Sequence, residues 1–79
     1  MSKTYTVDIQ ALRDQTERKG IHSVEELSEK SGINKEVLLP ILEGRSLPSY
    51  DIMVGLATAL ELSPELAGAI FFDNNLRNK

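Results

Sequence analysis

The chain has 79 residues, 41% of them hydrophobic and 27% charged, a balance too apolar for wholesale disorder and sufficient for one small core. It has no cysteine and a single histidine, which excludes disulfide frameworks, thiolate zinc sites, cysteine nucleophiles and multi-histidine metal sites. Nine basic residues against twelve acidic ones give a net charge of −3, which argues against a strongly basic nucleic-acid binder but permits a local basic patch.

Before the first helix, Lys3 to Val7 is polar and β-leaning, so it reads as an extended arm or a short edge strand. From about Asp8, Ile9, Leu12 and Thr16 fall at helical spacing, with Asp8 a suitable N-cap and Gly20 a stop. Ser23-Val24-Glu25-Glu26 is a capping box that opens a second helix, with Val24, Leu27 and Ser28 inward and Glu25, Glu26, Glu29 and Lys30 outward. Gly32 ends it, and Asn34 caps a third helix through Glu43, stopped by Gly44. Helices two and three therefore meet across a short turn around Ile33, a helix-turn-helix pattern.

Ser49 or Tyr50 begins a fourth helix with Met53, Leu56, Ala57 and Leu60 as its buried stripe. Ser63 and Pro64 stand as N-cap and first residue of a fifth, running to about Phe72, and Asp73 to Lys79 reads as a frayed tail. The expectation is an all-α fold, a compact bundle of five short helices in one domain over 1–79, with its core at about 8–72.

The longest apolar runs, Val37 to Leu42 with Pro40 included and Ala67 to Phe72, are six residues each, far short of the roughly 20 a membrane span needs. The opening Met1-Ser2-Lys3-Thr4-Tyr5 carries no apolar stretch of the signal-peptide kind, so a cytoplasmic protein with no membrane partner is expected.

On the third helix, Leu38, Ile41 and Leu42 share one side at about 100° per residue. Glu36, Leu39, Pro40 and Glu43 then point away, with Lys35 on the flank. Pro40 removes one helical hydrogen bond, so the third helix should be kinked or shortened. Across Ser23 to Tyr50, Lys30, Lys35 and Arg45 oppose Glu25, Glu26, Glu29, Glu36 and Glu43, leaving 3 − 5 = −2.

Gly20, the run from Glu25 to Asn34, Ile41 to Arg45, Leu47-Pro48-Ser49 and the Leu56 to Ser63 stretch together resemble the Cro/repressor type of helix-turn-helix domain, the XRE family, over about 55 of the 79 residues. The ending Ala69-Ile70-Phe71-Phe72 also looks like small regulators carried by temperate phages of low-GC bacteria. The resemblance implies a lambda-repressor-like fold and a third helix lying in the major groove of operator DNA. It implies base-facing positions at Asn34, Lys35, Glu36, Leu39, Pro40 and Glu43, with phosphate contacts expected from Arg45 and Ser46, from Ser49 or Tyr50, and from Lys3. Asn34 suits adenine, Lys35 guanine or a phosphate, Glu36 the cytosine amino group and Leu39 a thymine methyl. Val24 departs from the pattern: the family often has glutamine there, touching a phosphate, which valine cannot do.

Two roles compete for this surface. In the first, the chain is a transcriptional regulator, homodimeric on double-stranded operator DNA, with Phe71 and Phe72 shared between the core and a dimer contact. In the second, Glu36, Val37, Leu39 and Glu43 bind another repressor protein, the acids imitating phosphate toward a basic DNA-binding surface. Nothing suggests an enzyme, a metal, a cofactor or a small-molecule substrate. His22 reads as structural or solvated, Glu25, Glu26 and Glu29 as a solvated face, and no phosphate-cradling glycine loop is present.

Overall fold

Each helix of this chain begins where a side-chain oxygen takes an unsatisfied backbone amide. The structure, a computed structural model, describes residues 6–72. Its order is α1 (Ile9–Arg18), α2 (Val24–Ser31), α3 (Lys35–Leu42), α4 (Tyr50–Leu60) and α5 (Pro64–Phe71). No strand occurs among the described residues, so the all-α expectation holds. The caps are Asp8, Ser23, Asn34, Ser49 and Ser63, each accepting from an amide of the first turn. In the capping box, Glu26 reaches one residue further back than the N-cap: its Oε1 accepts from the His22 N–H at 2.7 Å.

The helix ends obey equally local rules. Gly44 closes α3 at φ 79°, donating its N–H to the Ile41 carbonyl, while the Arg45 N–H reaches the Pro40 carbonyl at 2.8 Å. At the end of α4 the left-handed position falls on Glu61, a non-glycine at φ 56°, held by the same pair of bonds from Glu61 and Leu62. Lys19 of the α1 end pairs with that glutamate at 3.0 Å.

Leu12, Leu27, Leu38, Leu56, Leu60, Ile70 and Phe71 form one continuous core. α2 packs on both α3 and α4, and α1 packs on α3 and α5. Val7 is buried without forming a strand, and the Asp8 N–H donates to the Ile70 carbonyl at 2.7 Å, joining the start of α1 to α5. Lys3 to Tyr5 of the expected arm lie outside the described residues, as does the stretch from Asp73 to Lys79.

Two boundaries differ from expectation. α3 stops at Leu42 because Glu43 is its C-cap, and α5 stops at Phe71 with Phe72 as C-cap. α3 is short, at eight residues, yet it carries Pro40 inside the helical span, so the proline does not end it. Among the described residues, no helix is long and apolar enough to cross a membrane.

Candidate nucleic-acid interface

The turn between α2 and α3 is Gly32-Ile33-Asn34, and nearly every polar group around it is used. Gly32 takes a left-handed conformation (φ 75°) and donates its N–H to Ser28 O at 2.8 Å. Ser28 Oγ then donates to the Ile33 carbonyl at 2.6 Å, and Ser31 Oγ accepts from the Ile33 N–H at 3.2 Å. Ile33 lies against Gly55 of α4: a Cβ on that glycine would stand 3.1 Å from Ile33 Cδ1. The missing side chain at 55 thus lets α4 support the turn closely. At the far end of α3, Arg13 of α1 donates Nη2–H to the Leu42 carbonyl at 3.0 Å, a cation on the negative end of the helix dipole. α3 is held at its start by the turn and at its end by α1.

So anchored, α3 buries Leu38 and Ile41 and turns its opposite side to solvent. Asn34, Lys35, Glu36 and Glu43 are exposed, and so are Val37 (43%) and Leu39 (38%). Pro40 is the exception to the outward set: its ring is half-buried, because it flanks the stripe that packs on the core. Beyond Gly44, the loop exposes Arg45, Ser46 and Leu47, and Tyr50 at the start of α4 is 75% exposed. Val24 is half-buried on α2.

Most of the polar side chains expected to contact a ligand already have partners. Asn34 Oδ1 accepts from the Glu36 N–H at 2.8 Å, and Ser49 Oγ accepts from the Ile52 N–H at 3.3 Å. Lys35 Nζ meets Glu25 Oε2 at 3.2 Å, and Arg45 meets Glu43 Oε1 through both Nε (2.8 Å) and Nη2 (2.6 Å). Glu25 is held below the ordinary carboxylate range, first by a bond from its own backbone N–H and then by the Lys35 ammonium. These pairs are solvent-exposed, so each opens at little cost.

Sequence reasoning placed Glu25 on a solvated face and missed its role as the Lys35 partner. The two are ten positions apart across the turn, beyond any helical spacing rule. It also missed Leu47, 50% exposed beside Arg45 and Ser46. Phe71 and Phe72 separate: Phe71 is a core residue at 2% exposure, while Phe72 is 40% exposed. Phe72 borders an apolar groove of about 220 Å³ between α4 and α5, together with Tyr50, Val54 and Pro64, and Ala57 and Gly68 also line it. No cluster of metal-binding side chains occurs among the described residues.

Comparison of the chain with family models, curated proteins and solved structures finds no match.

Proposed function

We propose that the chain is a small transcriptional regulator of the Cro/repressor helix-turn-helix type that binds operator DNA through α3. The observation carrying this reading is the combination of a three-residue turn and an anchored eight-residue α3 with an open outer face. Such a helix fits the major groove, about 12 Å wide, and the exposed Arg45 and Ser46 just beyond it suit phosphate contacts. Asn34, Lys35, Glu36 and Leu39 are the base-facing residues of this reading, with Ser49 and Tyr50 at the next helix start.

The weak local charge makes affinity depend on two copies. Paired copies place their α3 helices about 34 Å apart on successive turns of one face of the duplex, and Phe72 is the residue assigned to their contact. The test is titration of duplex DNA by fluorescence anisotropy at low and moderate salt. Binding that weakens with salt, and that weakens further with Arg45→Ala or Lys35→Ala, supports the reading. Affinity indifferent to salt contradicts it.

A second reading is favoured by one observation: both cations flanking α3 are already paired with glutamates, while Glu36, beside the exposed Val37 and Leu39, is in neither pair. In that reading Glu36, Val37, Leu39 and Glu43 bind the basic DNA-binding surface of another repressor. A complex with such a repressor that is lost on Glu36→Lys supports it, and a complex indifferent to that change removes this surface.

A further inference from the structure

Gly55 and Gly68 both lie inside helices, and only the first has an internal reason. Gly55 of α4 makes room for Ile33, whose Cδ1 would stand 3.1 Å from a Cβ there. Gly68, in the middle of α5, has no described atom within 4 Å of its Cβ position. Glycine weakens a helix interior, and packing among the described residues does not account for it here. What the missing side chain leaves open is the apolar groove between α4 and α5.

Val54, Ala57, Ala67, Gly68 and Phe72 line that groove, and no residue of α3 does. Its volume, about 220 Å³, falls below the roughly 300–1,000 Å³ of small-molecule sites. It suits an anchoring side chain instead, and the small residues let a second backbone come close.

The charge beside the groove has one sign. From Ser46 to Phe72 the chain carries Asp51, Glu61 and Glu65 and no lysine, arginine or histidine. Glu61 is paired with Lys19, but Asp51 and Glu65 are exposed and in no ion pair among the described residues. Each stands one turn before a groove residue, Asp51 before Val54 and Glu65 before Gly68. A second copy would bring the same carboxylates, so two copies meeting groove to groove would set like charges together.

We propose that this groove docks an amphipathic helix of another protein, with apolar anchors seated over Gly68 and lysines or arginines facing Asp51 and Glu65. The partner is basic and helical, and it meets a face separate from α3. Phe72 borders the groove, so on the dimeric DNA-binding reading above an occupied groove also competes with the contact between copies.

Helical peptides of about 14 residues, four turns, are randomised, displayed on phage and enriched on the full-length chain without DNA. The expected sequences carry apolar residues at i, i+3 or i+4, and i+7, with lysine or arginine beside them. A synthetic peptide of the enriched sequence, followed by fluorescence anisotropy, binds Gly68→Leu about tenfold more weakly, because the groove is filled while every charge remains. Leucine favours a helix over glycine, so that variant keeps the fold. Asp51→Asn combined with Glu65→Gln weakens binding severalfold and flattens its salt dependence, whereas Lys35→Ala changes neither. No enrichment overturns the proposal, as do enriched peptides that are acidic or that bind Gly68→Leu as tightly. A chain that sediments as a dimer, turns monomeric on Gly68→Leu and takes up no peptide assigns the groove to a second copy and also overturns it. With no DNA in the assay, its failure leaves the DNA-binding reading untouched.

Discussion

α2 and α3 are both eight residues long and pack on each other, yet they follow opposite surface rules. α2 buries Leu27 and exposes Glu25, Glu26, Glu29 and Lys30, with acids in its first turn and a lysine in its last, as the helix dipole favours. α3 begins with a lysine, has no basic residue in its last turn, contains a proline and exposes Val37 and Leu39. The outer face of α2 is explained by making a stable, solvated helix. The outer face of α3 breaks those local rules with no gain in stability, the pattern found where a surface serves a partner.

The contrast breaks most directly at the leucines. Leu27→Ala and Leu38→Ala should each cost about 2–5 kcal/mol, because both side chains are fully buried. Leu39→Ala should cost about 1 kcal/mol, clearly less, because its side chain is only partly covered. Urea unfolding measures all three, and a Leu39 cost equal to that of Leu38 would make the exposed face part of the core.

Pro40 comes next. Pro40→Ala restores an amide for the Glu36 carbonyl and removes a ring from the helix interior, so stability should rise by about 1–3 kcal/mol. A fall in melting temperature would instead show that packing of the half-buried ring outweighs the missing bond. The N-caps then sharpen the comparison. Ser23→Ala and Asn34→Ala should each cost about 1 kcal/mol in unfolding experiments, but only Asn34→Ala should also weaken DNA binding.

The organisation of the chain was legible because its signals are local. Asp8, Ser23, Asn34, Ser49 and Ser63 announce helix starts within one turn, and Gly20, Gly32 and Gly44 announce stops. The inward stripe of α3 followed from periodicity alone. What escaped depends on contacts across the fold: the Lys35–Glu25 pair, the Arg13 bond to the α3 end, and the Ile33–Gly55 approach. Phe71 and Phe72 also look equivalent in sequence, and only the packing of α5 on α1 assigns one to the core and leaves the other exposed.

The ion pairs carry smaller effects. Glu25→Gln and Glu43→Gln should leave the urea midpoint nearly unchanged, since the pairs are exposed. Each should tighten DNA binding severalfold by freeing a cation, with the gain largest at low salt. Unchanged affinity in both variants would remove Lys35 and Arg45 from the interface.

The smallest effect is the titration of Glu25. Its carboxyl should titrate below the ordinary value of 4.5, so its contribution to stability is present above that value and is lost as the pH falls through the lowered folded value. Carboxyl NMR measures the midpoint. Lys35→Met should raise it only part of the way, because the bond from the Glu25 backbone N–H, the larger cause, remains.

The account stands on the outer face of α3 being the surface that meets a ligand. Backbone amide NMR of the full chain, titrated with the duplex it enriches from a randomised pool, tests this residue by residue. Shifts concentrated from Asn34 to Glu43 and from Arg45 to Tyr50, with α5 little changed apart from Phe72, are the predicted result. Shifts confined to α1 and α5, with α3 silent at saturating DNA, would contradict it.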